Sequence, residues 1–382
     1  MAQQHLDPTD PRSRHVGPSP TPGSAGTGGA PVGDALADYL RAQATEFLRA
    51  LRLHRETGTT AGGPNGAAGP EDPVDAARAL RRAVRRISGS LHTFRPLLDP
   101  DWSESMRPEL AWLSGTLAME HAYAARLERL LLALHRLSGA VFPAQPAVGA
   151  AVGSRSAGAE PGAAGPAAHP VTPDRGNLTV GAAKAGALLE RQLTLARTRS
   201  HSTALQALGS SRFHAVADHI AVLASEVPLT PAATTTDLRP LASAAEGRLT
   251  DAVTALPLVT AGHPYNAEAL IHGLSPDPAP HPQDAPWHQV RLLLRLHRYA
   301  HEVLQGADAP VNVRLLTAGQ ALDRHRDASE AAAAAAQAAR TPRIAPATAY
   351  ALGVLHADQR HEVEAARFAF QQSWQKQTVG TP

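Results

Sequence analysis

The sequence predicts an all-α protein, organised as two tandem four-helix-bundle repeats with pseudo-twofold symmetry around a central basic groove. Apolar residues recur at three- and four-residue spacing through most of the chain after residue 32, which is the period of amphipathic helices. No segment alternates apolar and polar residues in the way that is typical of half-buried strands. Two predicted helices, one in each half, carry basic residues at matching positions, and this indicates an internal repeat.

The first half begins after residues 1–31, which are rich in Pro, Gly, Ser and Gln and are predicted to form a disordered tail. Asp34 is predicted to cap the first helix. A glycine-rich stretch at 57–69 predicts a loop, and residues 139–173, dominated by Ala, Gly and Pro, predict a flexible insertion. The helices predicted in this half are 33–51, 72–95, 103–137, 180–208 and 212–224.

The second half follows a break at Pro228 and Pro231, since proline interrupts helical hydrogen bonding. A stretch rich in Pro and His at 257–286 predicts a loop between its first two helices. The helices predicted in this half are 238–256, 287–302, 312–339 and 346–376.

The helix at 287–302 carries an unusual stripe of charge. His288, Arg291, Arg295, Arg298 and Glu302 fall at i, i+3, i+7, i+10 and i+14, which is one face of a helix. An ordinary amphipathic helix places apolar residues in such a stripe. The apolar residues occupy the opposite side instead, so the helix is predicted to present a basic row while its back is anchored in the core.

The first basic helix, at 72–95, repeats this arrangement. A constant offset of 210 residues takes Arg78 to His288 and Arg85 to Arg295. One helix precedes each basic helix and a long helix follows it. We therefore predict two copies of one helical unit, at about 32–228 and 237–376.

Composition excludes several classes of protein. The chain has no cysteine, so disulfides and thiolate metal sites are excluded, and no run of about 18 apolar residues predicts a membrane span. Residues 1–8 lack the pattern of a secretory signal, so a cytoplasmic protein is the expectation. Net charge is only +2, which means that affinity for an anion would have to come from local clustering of arginine.

In its second half the chain resembles the CHAD family of conserved-histidine α-helical domains. A family pattern, H-x-x-R-x-x-x-[KR]-x-x-R-Y-x-x-E, is met from His288 to Glu302. Residues 322–327 resemble the family segment L-G-x-x-x-D, with Asp323 in place of the glycine. The resemblance covers the chain from 32 to 376, which is identified as a CHAD domain.

The first half resembles the family less completely. Its basic pattern is matched at Arg81, Arg85 and Arg86, but Arg78 stands where the family has a histidine and Ser88 replaces an arginine. The acidic residues of a family segment R-D-x-D are absent at 121–124.

The resemblance implies that the protein binds inorganic polyphosphate in a basic groove between its halves. Because the sequence shows no catalytic motif, neither catalysis nor a cofactor is expected. Arginine forks suit such a chain because they bind phosphate oxygens bidentately. Association with polyphosphate granules in the cytoplasm follows as an expectation. The residues predicted to bind polyphosphate are Arg78, Arg81, Arg82, Arg85, Arg86, His288, Arg291, Arg295, Arg298 and Arg326.

Two other interpretations stay open at this point. The arginines could instead pair internally with Asp and Glu, in a degenerate helical scaffold whose surface binds a protein partner; Glu302 is expected to pair with Arg298. A phosphatase-like metal enzyme would use histidine pairs such as His297 and His301 at i, i+4, but no third ligand is visible and no metal is predicted.

The sequence contains neither a P-loop nor a Gly-x-Ser-x-Gly motif. Nucleic acid is an unlikely partner, because bases need aromatic side chains to stack on and only 4% of the residues are aromatic.

Overall fold

Ten α-helices make up nearly all of the computed structural model, which describes residues 32–60, 72–139, 173–263, 273–274, 281–306 and 312–375. The described residues form no β-strand, and the only extended pairing among them is an isolated bridge between Leu98 and Leu229. The all-α prediction is therefore confirmed. The helices are α1 (Val32–Thr60), α2 (Asp72–Thr93), α3 (Pro100–Ser138), α4 (Pro173–Leu208), α5 (Ser211–Ser225), α6 (Arg239–Thr254), α7 (Leu258–Ala261), α8 (Ala285–Gln305), α9 (Val313–Ala339) and α10 (Pro346–Gln375).

Most helix boundaries lie within a few residues of the predicted ones, and the differences have simple causes. Helix α1 continues to Thr60, into the predicted loop, and Asp34 lies inside its first turn instead of capping it. The predicted loop at 257–286 contains the short helix α7 and a 3-10 turn at Pro282–Asp284, elements too short to leave a periodic pattern. The predicted tail 1–31 and almost all of the predicted insertion 139–173 lie outside the described residues.

Side-chain caps mark where several helices begin. The carboxylate of Asp99 accepts a hydrogen bond from the backbone N–H of Trp102 at 2.8 Å, and Pro100 follows at the first helical position of α3. Ser210 caps α5 and Asn312 caps α9 in the same way. Each cap satisfies a backbone donor that the first turn of a helix leaves without a partner.

The hydrophobic core has three parts. The first joins α1, α2, α5 and the beginning of α3 around large buried side chains such as Phe47, Phe94 and Phe213. The second joins α6, α8, the beginning of α9 and the end of α10 around Trp287 and Phe370. The first of these two parts thus supports the basic helix α2 and the second supports the basic helix α8.

The third part is a four-helix bundle that draws on both halves of the chain. The antiparallel pairs α3–α4 and α9–α10 meet there, with Leu134, Leu189 and Leu355 in the centre. Gly181 of α4 lies so close to α10 that a Cβ at this position would come within 2.2 Å of the backbone oxygen of Ala347. The bundle therefore joins the two halves into one body.

The two basic helices cross each other at a glycine. A Cβ on Gly89 of α2 would lie 2.5 Å from Cδ2 of Tyr299 of α8, so only glycine allows this approach. Packing within the halves also corresponds, because α1 packs on α2 as α6 packs on α8. The first half contains five helices, each corresponding to one predicted from its sequence, and the last of them, α5, is one more than a four-helix repeat holds. Duplication itself stays a prediction.

Candidate functional site

Five arginines from three helices come together beside the crossing of α2 and α8. Arg81 and Arg85 belong to α2, Arg291 and Arg295 to α8, and Arg326 to α9; each is partly buried. We call these residues the arginine cluster. Their mutual electrostatic influence reaches across all three helices, since Arg81 is affected by Arg326, Arg295 and Arg291. The structure thus brings together five of the ten residues predicted from the sequence.

The arginine cluster is electrostatically strained. Burial and, after it, the positive charges of Arg81 and Arg291 lower the pKa of Arg85 to about 10. Burial likewise lowers the pKa of Arg295 to about 10, with Arg291 and Arg85 as the neighbouring cations. Both side chains remain charged at neutral pH. Because like charges are held together at partly buried positions, an anion placed among them would be stabilised.

Three buried donors or acceptors at this place have no hydrogen-bond partner among the described residues: Nε of Arg81, Nε of Arg295 and Nε2 of His288. Nor does any ion pair in the described part of the chain engage Arg81, Arg85 or Arg295. Buried polar groups in proteins normally find a partner. These atoms are therefore the ones best suited to an external ligand.

The other two members of the arginine cluster have carboxylate partners. Nε of Arg291 donates to Oδ1 of Asp323 at 2.5 Å, and Nε of Arg326 donates to Oδ1 of Asp327 at 2.9 Å. Asp323 also acts on Arg295 and Arg326. In the sequence Asp323 stands out only as a departure from the family pattern. Its contact with Arg291 of a different helix could not be predicted from spacing along the chain.

Arg86 is held by Glu302, which corrects the prediction that Glu302 pairs with Arg298. Nε of Arg86 donates to Oε2 of Glu302 at 3.0 Å, and the hydroxyl of Tyr39 donates to the same oxygen at 2.9 Å. The partner thus comes from α2, because the end of α8 packs against α1 and α2 and brings Glu302 to Arg86. This contact ties the two basic helices to α1.

The remaining predicted residues lie around the edge of the arginine cluster. Arg78 is exposed and its Nη1 donates to Asp75 at 3.2 Å, while Arg82 is exposed on α2. Arg298 is partly buried beside Gly319 of α9. His121 of α3, which was not predicted as a site residue, faces this edge: burial lowers its pKa, and Arg78 and Arg81 contribute.

A cavity of about 850 Å³ opens between α2, α3 and α8 and adjoins the arginine cluster. Arg85, Arg291 and Arg295 line one part of it, and His92 and Arg107 line another. Apart from Glu104 and Arg107, the wall from α3 consists of small or apolar residues, and Tyr299 closes the side toward the helix crossing. This volume is within the range of ligand sites in proteins. The residues of the α3 wall are Pro108, Leu110, Ala111, Ser114, Gly115 and Ala118.

His288 connects the arginine cluster to a buried polar network that the sequence analysis missed. Its ring lies edge-on to that of His325, with 5.5 Å between ring centroids. Fully buried Asp284, at the start of α8, accepts hydrogen bonds from Arg360 and Arg367 of α10, each at 2.7 Å. The signal available in the sequence was the pair Arg360 and Arg367, which fall at i, i+7 on one face of α10.

The charge states of this network follow from its contacts. Burial acts to raise the pKa of Asp284, but contacts from His325 and Arg360 outweigh burial and hold this pKa far below its ordinary value. Burial lowers the pKa of His325 to about 4, so its imidazole is neutral at pH 7. The ionised Asp284 therefore locks the first turn of α8 onto α10 and orients the basic row that begins at His288.

The described part of the chain offers little support for a metal site. No group of three or more His, Asp or Glu side chains there is arranged to hold a metal ion. The rings of His297 and His301 lie 6.1 Å apart between centroids, and Nε2 of His301 is within 3.0 Å of the Gln305 side-chain amide.

No helix among the described residues is both long and apolar enough to cross a membrane.

Comparison with known proteins gives a match to a family and a match to a solved structure. A family model described as "CHAD domain" matches residues 42–336. A solved structure titled "PptA from Streptomyces chartreusis" is 70% identical in sequence, covers 91% of this chain and 100% of that chain, and superposes with a TM-score of 0.71. No curated protein matches the chain.

Proposed function

The chain belongs to the CHAD domain family, and on that premise we propose that it binds inorganic polyphosphate at the arginine cluster and does not act as an enzyme. One observation carries the proposal. Arg81, Arg85 and Arg295 are charged and partly buried, and no carboxylate among the described residues pairs with them.

A linear polyphosphate matches this arrangement physically. It supplies negative charge at short, regular intervals, and arginine can bind its oxygens through two parallel hydrogen bonds. Binding would also release counterions from the polyanion, as occurs when proteins neutralise phosphates of nucleic acids. The unpartnered Nε atoms of Arg81 and Arg295 are suitable donors, because they are already buried and lose little freedom on binding.

The scaffold interpretation accounts for part of the geometry only. Arg86, Arg291 and Arg326 do pair with carboxylates, as an internally neutralised scaffold requires. The scaffold interpretation gives no reason why Arg81, Arg85 and Arg295 should lie close together without counter-ions. Repulsion among them costs stability, and such strain is typical of binding sites.

The test is a titration of the protein with long-chain polyphosphate at two salt concentrations. In the double variant Arg85→Gln and Arg295→Gln we expect affinity to fall at least about tenfold. The slope of log affinity against log salt concentration should become shallower by the amount that about two phosphate contacts contribute. The matched control is Arg191→Gln with Arg197→Gln, two exposed arginines of α4, which changes net charge equally. Its affinity should stay close to wild type.

Absence of binding by the wild type at low salt, or equal binding by both double variants, would refute the proposal. Loss of helical circular dichroism in Arg85→Gln with Arg295→Gln would instead favour the scaffold. A cytoplasmic location at polyphosphate granules is the corresponding cellular expectation, and co-localisation of a fluorescently tagged chain with stained granules would test it.

A further inference from the structure

A second group of basic side chains lies at the other end of the cavity between α2, α3 and α8. Burial lowers the pKa of His92, and Arg107, Arg248 and Arg95 contribute through their positive charge. These four residues come from α2, the 3-10 turn that follows it, α3 and α6, so tertiary packing brings them together. We call them the second basic cluster.

The second basic cluster carries an excess of positive charge. Glu104 is its counter-ion: one of its oxygens is 2.9 Å from Nε of Arg95 and 3.0 Å from Nη1 of Arg107. Arg95 and Arg107 therefore share one carboxylate, and no ion pair in the described part of the chain engages Arg248. Unlike the arginine cluster, this group is largely exposed, so that a ligand could reach it from solvent.

Both clusters open into the same cavity. Arg85, Ser88 and His92 succeed one another along one face of α2, and all three line the cavity. His92 lies seven positions after Arg85, which corresponds to about 10 Å along the helix axis. The cavity thus offers an extended anion a route from Arg85 of the arginine cluster, past Ser88, to His92 of the second basic cluster.

We propose that the second basic cluster is a second anion subsite, reached through the cavity by the same polyphosphate chain that occupies the arginine cluster. This inference rests on the proposed function and adds a dependence on chain length to it. A short phosphate chain fills the arginine cluster alone. A long chain engages both subsites, and the second contact is intramolecular and therefore acts at high effective concentration.

The first test compares long-chain polyphosphate with tripolyphosphate as ligands for Arg107→Gln with Arg248→Gln. Affinity for the long chain should fall about tenfold and its salt dependence should weaken, because two phosphate contacts are lost. Affinity for tripolyphosphate should stay the same. The control is again Arg191→Gln with Arg197→Gln, which should bind both ligands as the wild type does.

The second test fills the path and leaves both basic clusters unchanged. Ser88 is partly buried and lines the cavity between Arg85 and His92, so Ser88→Leu extends an apolar side chain into the path. It should weaken binding of the long chain and leave tripolyphosphate binding unchanged. Ser202→Leu is the matched control, because Ser202 is exposed on α4, away from the cavity.

The outcomes separate the two proposals. If the wild type binds both ligands and the variants bind the long chain as well as it does, the second subsite is wrong while the proposed function stands. Equal losses for both ligands would likewise overturn the second subsite, since the residues would then belong to one site. If the wild type binds neither ligand, both proposals fall.

Discussion

Arg291 of the arginine cluster is paired with Asp323, an acidic side chain of α9. Nε of Arg291 donates to Oδ1 of Asp323 at 2.5 Å, and the Arg291 side chain is only 13% exposed while that of Asp323 is 57% exposed. Asp323 stands where the resembling family segment has glycine. A carboxylate at this position is an internal competitor for any anion that approaches Arg291.

Removing this carboxylate should strengthen binding. In Asp323→Asn the charge that opposes an incoming phosphate is lost, and we expect polyphosphate affinity to rise by up to about fivefold at low salt. The titration with long-chain polyphosphate measures this affinity. Asp218→Asn, at an exposed position on α5, changes net charge equally and should have little effect. A weaker affinity in Asp323→Asn would mean that Asp323 orients Arg291 for binding instead of competing with the ligand.

The contact of Glu302 with Arg86 and Tyr39 should stabilise the fold. Burial, and then the charge of Glu302, raise the pKa of Tyr39 well above its ordinary value, so its hydroxyl stays a donor. Glu302→Gln leaves Arg86 without a charged partner and should lower the free energy of unfolding by about 1–2 kcal/mol. Urea denaturation measures the change. Glu190→Gln, exposed on α4, is the control, and an equal effect there would contradict this role.

The crossing of α2 and α8 should not tolerate a side chain at Gly89. A Cβ there overlaps Tyr299, so Gly89→Ala should destabilise the protein by about 1–3 kcal/mol, although alanine favours helices. Gly247→Ala, at an open position on α6, should be neutral or stabilising. In a Tyr299→Ala background the cost of Gly89→Ala should shrink, as a double-mutant cycle would show. An unchanged cost would mean that the contact is not the cause.

Acid should destabilise the protein through His325. Its folded pKa of about 4 lies below the ordinary value of 6.5, so the unfolded chain binds the proton more tightly. The contribution of His325 to the free energy of unfolding is therefore fully present above about pH 6.5. It is lost as the pH falls toward 4, and the loss amounts to about 3 kcal/mol. His325→Gln lacks this titration, so its unfolding free energy should vary less between pH 7 and pH 4. An identical pH dependence in both proteins would contradict the assignment.

Much of the architecture could be predicted because helices are local. Apolar spacing located α2, α3 and α9 to within a few residues, and the stripe from His288 to Glu302 marked α8 as the basic helix. Spacing along one helix also placed Arg291 and Arg295 on one face. It could not distinguish Arg85, which joins the arginine cluster, from Arg86, whose partner is Glu302 on another helix.

The sequence by itself determined the helical class of this protein, the order of its helices and the faces that carry arginine, because these depend on the 3.6-residue period and on near neighbours. Only the tertiary structure decided which arginines lack a counter-ion. Pairing depends on crossings between helices distant in sequence: Asp323 reaches Arg291 from α9, Glu302 reaches Arg86 from α8, and Arg81, Arg85 and Arg295 are left facing one another. Periodicity carries no information about such crossings, since they are set by how the buried faces of different helices pack.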